Sequence, residues 1–198
     1  MKIGIIGTGK LGSVLGQLFV KSMHKVMFAS SDPESLHAFT EAVGANASYG
    51  SWKETFQYAD VQVLTLPFVD IPNLADEIET CAKGKVIIDA TTPCKAGERI
   101  LEQYGFDLRQ SNRFLKQLFS DSYIAKAFYQ YNGEDLKKLA NPSLTETKIP
   151  MPFTCEHPDV KQIVENLIGH IGFKPEFENN PYTISFVKER LRKAVGSP

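Results

Sequence analysis

A short isoleucine-rich run, KIGII at Lys2 to Ile6, passes directly into GTGKLG at Gly7 to Gly12. An apolar series then follows at Leu11, Val14, Leu15, Leu18 and Phe19. The run can be buried on both faces, as in a parallel sheet, and the apolar series has helical spacing. Few folds accept strand, three-glycine turn and helix in such close succession. Gly7 permits the tight turn, Gly9 lets the backbone approach a pyrophosphate, and Gly12 permits close packing of helix on strand. The helix amino terminus then presents its amides to the anion. The spacing therefore predicts dinucleotide binding, the alternative being a fold that has kept the turn and lost its ligand.

Strand and helix continue to alternate. KVMFAS reads as a second strand, followed by a helix that Ser31 or Asp32 caps and Pro33 opens, running through Leu36, Phe39 and Val43 to Gly44. A helix at Trp52 to Tyr58, a strand VQVLTL stopped by Pro67, a helix near Leu74 to Cys81 and a strand KVIIDA stopped at TTP repeat the pattern. A helix around Phe114 to Phe119 and a strand around Tyr123 to Phe128 complete it. The fold class expected is α/β, a Rossmann-type doubly wound parallel sheet. After NGEDLKKLANP the texture changes: KIPMPFT reads as a strand, Val160, Ile163, Val164, Leu167, Ile168 and Ile171 fall at helical spacing, and FKPEFE and a last helix from Tyr182 to Val195 follow. The expected organisation is a dinucleotide-binding domain over 1–130 and a small carboxyl-terminal α/β appendage over 131–198, serving the substrate side or a dimer contact.

Charge bears on the partner. With 22 basic and 23 acidic residues in 198, a formal net charge of −1 gives no excess to attract nucleic acid or anionic lipid. The KERLRK run at Lys188 to Lys193 reads as a charged helix face, and no apolar stretch reaches membrane-spanning length. Cys81, Cys94 and Cys155 form no CxxC pair, and His24, His37, His157 and His170 lack metal-ligand spacing, so no metal and a reducing, cytoplasmic setting are expected. Small molecules, or a second copy of the chain, are the expected partners. The late apolar helix and the segment NNPYTISF motivate a homodimer.

Ser30 lies 18 residues past Gly12, where an acid would accept from the ribose hydroxyl of NAD. A carboxylate there would repel a 2′-phosphate, whereas Ser30 and Ser31 can donate to one, so the pair favours NADP with NAD as the alternative. Asp32 opposes this with a nearby negative charge, and the serines can equally cap the next helix.

GTGKLG, SSDPESL, VLTLP, VIIDATTP, IAKAF and IVENLIGHIGFKP, in this order, resemble the NADP-dependent reductases of the deazaflavin coenzyme F-420, a family that includes the cytoplasmic reductase domain of six-transmembrane metalloreductases. The resemblance implies hydride transfer between NADP and a flavin-like or deazaflavin co-substrate at the carboxyl end of the sheet. It implies that Gly7, Thr8, Gly9, Lys10, Leu11 and Gly12 hold the pyrophosphate, that Ser30 and Ser31 face the 2′-phosphate, and that Thr65, Leu66 and Pro67 line the cleft. Thr91, Thr92 and Pro93, with Ala127 and Phe128, would flank the nicotinamide. The chain departs from the family pattern at Ser31, where an arginine is common, at Tyr129, where asparagine or histidine is common, and at CEHPD before the late helix. Hydride transfer needs two rings held at near contact more than it needs an acid or base. Tyr129 is the candidate catalytic residue, as a donor to a ring carbonyl, with a packing role as the alternative. Lys126 reads either as a partner for a phosphate or carboxylate or as a solvated strand end, and Cys94 reads as an ordinary thiol. The expected function is an NAD(P)H-dependent oxidoreductase with a small electron acceptor, and the alternative is a non-catalytic NAD(P)-binding sensor.

Overall fold

The computed structural model describes residues 1–78, 80–140 and 148–179. The elements run β1 (Lys2–Ile6), α1 (Lys10–Lys21), β2 (Lys25–Ala29), α2 (His37–Val43), β3 (Ala47–Gly50), α3 (Trp52–Tyr58), β4 (Val61–Leu64), α4 (Ile71–Ile78) and β5 (Val86–Asp89). There follow α5 (Lys95–Gln103), α6 (Ser111–Leu118), β6 (Tyr123–Lys126), α7 (Gly133–Leu139), β7 (Pro150–Cys155), α8 (Pro158–His170) and β8 (Lys174–Phe177). The strands form one sheet in the order β3-β2-β1-β4-β5-β6-β7-β8. The pairs from β3 through β6 are parallel, β7 runs antiparallel to β6, and β8 is parallel to β7. This is the doubly wound α/β arrangement, with its order reversing between β1 and β4.

Strand alternation explains why both faces need helices. Ile3 and Ile5, Val61 and Val63, and Val86 and Ile88 pack into one cluster with Leu15 and Phe19 of α1, Leu136 of α7, and Val160, Val164, Leu167 and Ile168 of α8. Ile6, Leu64 and Ile87, one residue out of phase, pack into a second cluster with Phe56 of α3, Leu74 of α4, Leu101 of α5, and Phe114 and Leu115 of α6. A run buried on both faces is thus shared between two cores.

Several local expectations need correction. β3, with the sequence ASYG, is an edge strand and carries almost no apolar alternation, so it adds a strand that the sequence pattern does not mark. α5 and α7 are likewise additional, being short and carrying few apolar positions. The single helix expected from Pro33 to Gly44 is a 3-10 turn over Pro33–Leu36 followed by α2, and no side chain caps either start. Instead the Ser30 hydroxyl donates to the Asp32 carbonyl at 2.7 Å and accepts from the Asp32 amide at 3.2 Å, closing its own turn. The helix expected from Tyr182 to Val195 and the KERLRK run lie outside the described residues.

Candidate functional site

The carboxyl ends of β1, β4, β5 and β6 border an open cavity of about 660 Å³. Its floor is the glycine turn. Gly7 adopts φ +103°, and a side chain there would also lie 2.5 Å from the Leu66 amide nitrogen, so both conformation and space demand glycine. Gly12 is needed for space alone: an added Cβ would sit 2.1 Å from the Gly7 carbonyl oxygen and 2.4 Å from the Thr65 hydroxyl. That hydroxyl donates to the Gly7 carbonyl at 2.6 Å, tying the end of β4 to the turn.

Gly9 differs from both. Its φ of −64° suits any residue, and an added Cβ would meet nothing within 4 Å. Gly9 is the N-cap of α1 and no side chain caps that helix, so its first-turn amides face the cavity side by side with Lys10 and Leu11. Nothing in the chain itself requires glycine here, whereas a close-lying phosphate would. The cradle fits the pyrophosphate of a dinucleotide, with the positive end of α1 toward it.

Thr8, Thr65, Leu66 and Pro67 border the same cavity, as do Thr91 and Thr92 beyond β5. Tyr129 enters from beyond β6. The backbone explains how: buried Phe128 takes a left-handed φ of +65°, unusual for a bulky residue, which sends its ring into the core against Phe19 and the next residue toward the cavity. Burial, with help from the charge of Glu178, pushes the Tyr129 phenol up to about 12, so it is a neutral donor near pH 7 and cannot serve as a base. Burial likewise raises Tyr131, whose hydroxyl donates to the Pro150 carbonyl at 3.2 Å.

Among the expected residues, Gly12, Pro93, Ala127 and Phe128 do not border the cavity, nor do Ser30, half-buried, and Ser31, exposed, in the loop after β2. Sequence reasoning missed Phe68 and Val69, which follow Pro67, and Gln130 to Gly133, where the start of α7 closes on the glycine turn. An added Cβ on Gly133 would lie 2.2 Å from the Lys10 carbonyl oxygen. Asn132, whose side chain accepts from the Asp135 amide at 2.9 Å, is a legible N-cap and was the available signal. Lys10 is the one charged residue bordering the cavity among the described residues.

Of the two readings of Lys126, the carboxylate partner holds and the solvated strand end does not: the residue is 3% exposed, and its ammonium meets the wholly buried Asp89 carboxylate at 2.5 Å. Cys94 is exposed at the N-cap of α5, and the amides of Gly97 and Ala96 hold its thiol below the ordinary value. Distant histidines meet as well: His24 Nε2 lies 3.0 Å from His170 Nδ1. Among the described residues no cluster of His, Cys, Asp or Glu has the makings of a metal site, and no helix is long and apolar enough to cross a membrane.

Residues 2–93 match the family described as NADP oxidoreductase, coenzyme F420-dependent. No curated protein matches the chain. Among solved structures, a hypothetical protein from Sinorhizobium meliloti is 24% identical, covering 89% of this chain and 84% of its own, with a TM-score of 0.74. A candidate F420-dependent NADP-reductase from Arthrobacter sp. FB24 is 16% identical over 99% of this chain and 95% of its own, with a TM-score of 0.73. A reductive aminase from Aspergillus terreus, in complex with NADPH and ethyl levulinate, is 15% identical over 98% of this chain and 61% of its own, with a TM-score of 0.64. At these identities the structures establish the shared fold, and kinship with six-transmembrane metalloreductases rests on the sequence resemblance alone. Over residues 2–93, which hold the glycine turn and the first five strands, the resemblance to the F420-dependent NADP oxidoreductases is borne out, and this match indicates an NAD(P)-dependent oxidoreductase.

Proposed function

We propose that the protein transfers hydride between NADP(H) and a small acceptor with a flavin-like or deazaflavin ring. The observation that carries the reading is Gly9: it borders the cavity at an uncapped helix start, with open space where its side chain would be and a φ any residue accepts. When bound, the nicotinamide supplies the hydride chemistry. The chain's own residues bind and orient. Amides at the start of α1 and the Lys10 ammonium receive the pyrophosphate charge. Leu66, Pro67, Phe68 and Val69 give one wall an apolar surface that excludes water. Tyr129, held neutral, offers its hydroxyl as a hydrogen-bond donor at the cavity's border. Ser31 is exposed, and no hydrogen bond among the described residues engages its hydroxyl, which supports a role toward a 2′-phosphate; Ser30 spends its hydroxyl on the Asp32 backbone.

The test is NADPH oxidation followed by absorbance with FMN as the acceptor probe. Turnover that depends on protein concentration supports the oxidoreductase reading. Saturable NADPH binding without turnover, for FMN and for a deazaflavin alike, would leave a binding module instead.

A further inference from the structure

Asp89 and Lys126 are the last residues of neighbouring strands β5 and β6 and stand opposite each other in register. Both are buried, at 0% and 3% exposure. Asp89 divides its carboxylate: Oδ2 receives the Lys126 ammonium at 2.5 Å, and Oδ1 accepts from the Thr91 amide at 2.8 Å and the Thr91 hydroxyl at 2.6 Å. The same ammonium donates to the Thr91 carbonyl at 2.7 Å and lies 5.1 Å from the centre of the Tyr129 ring. Thr91 is thus gripped at its amide, hydroxyl and carbonyl by one ion pair.

Removing two charges from water is costly, and apolar residues of similar volume often stabilise a core as well or better. An ion pair in this position therefore calls for a reason beyond stability. Its contacts supply one, because Thr91 and Tyr129 both border the cavity. The chain between them, at Phe128, is held in a left-handed conformation that a bulky residue does not adopt unaided.

We propose that Lys126, through Asp89, is a positioning residue: it fixes the Thr91 exit of β5 and the ring of Tyr129 as one rigid wall that sets the orientation of the nicotinamide ring. The inference rests on the NADP(H) reading of the cavity. Misplacing reacting atoms by about 1 Å can cost on the order of 100-fold in rate, so loosening this wall should act on the reacting end and spare the pyrophosphate end.

The experiment compares the unmodified protein with Lys126→Met and with the doubly changed Asp89→Asn, Lys126→Met protein, in which no charge is left unpaired. Two ligands are titrated: NADPH, and 2′-phospho-ADP-ribose, which lacks the nicotinamide. Folding is checked by circular dichroism and melting. In a folded variant, 2′-phospho-ADP-ribose should bind within about twofold of the unmodified protein, while NADPH loses about tenfold in affinity or its bound-state fluorescence yield. With FMN as acceptor, kcat should fall on the order of 100-fold, with KM for NADPH changed less. Equal loss of both ligands, unchanged NADPH behaviour in a folded variant, or failure of both variants to fold would overturn the proposal and leave the pair a structural one. Failure of the unmodified protein to bind either ligand would instead overturn the cofactor reading beneath it.

Discussion

Gly9 and Gly12 are three residues apart in one turn, yet substitution should damage them in different ways. A side chain at Gly9 enters open space, so Gly9→Val should cost no more than about 1 kcal/mol, that of a poorer N-cap, while weakening NADPH binding more than about tenfold. Melting and fluorescence titration of the same sample check both halves. At Gly12 an added Cβ meets the Gly7 carbonyl and the Thr65 hydroxyl, so Gly12→Ala should itself cost about 1–3 kcal/mol and carry cofactor binding down with it. Cys94 gives a chemical readout of the same cavity. Backbone amides lower its thiol, whereas burial raises that of Cys155, so iodoacetamide should label Cys94 before Cys155, with its rate rising from below the usual thiol range. NADPH should slow that labelling because Cys94 borders the cavity; peptide mapping that finds Cys155 first, or no protection, would contradict this.

Among the elements, the docking of α8 on the turn between α1 and β2 has a built-in pH dependence. Ser22 donates its hydroxyl to the His170 carbonyl at 2.9 Å, and His24 lies tilted against His170 and edge-on to Phe19. Burial first, then the charges of the Met1 ammonium and His170, lower His24 from 6.5 to about 4. Below 6.5 the unfolded chain therefore takes up a proton that the folded chain refuses. The associated stability is complete above pH 6.5 and is lost progressively as pH falls toward 4. Urea unfolding at pH 7.5 and 4.5 should show a steeper fall for the unmodified protein than for His24→Phe; equal falls would contradict it. No spacing rule could have paired these residues, because His24 and His170 are 146 positions apart and only the packing of α8 against the turn between α1 and β2 brings them together. The ion pair of Asp89 and Lys126 was legible only in half: a carboxylate was one of the two partners open to Lys126, but nothing in the spacing names Asp89, 37 positions away, as that carboxylate. Elements with strong periodicity were legible: β1, α1, α3 and the apolar face of α8 all fall where the sequence puts them. β3 was not, since ASYG at a sheet edge needs no apolar face, and α7 was marked only by the cap Asn132.

For the molecule as a whole, the glycine turn fixed the expectation of a parallel sheet, and the strand order with its reversal between β1 and β4 agrees with it. The carboxyl-terminal part extends that sheet through the antiparallel pairing of β6 and β7. The apolar face of α8, one motive for a homodimer, is spent on the core of its own chain. The other motive, Tyr182 to Phe186, lies outside the described residues, so the dimer stands as a proposal that a monomer in sedimentation at micromolar concentration would remove. The central claim is that the cavity over the glycine turn takes NADP(H). Its most direct measurement is a fluorescence titration with NADPH, beside NADH and beside the Gly9→Val protein at one ionic strength. The expected result is saturable NADPH binding, tighter than NADH and lost in Gly9→Val; absence of binding, or binding that Gly9→Val leaves unchanged, would contradict the account.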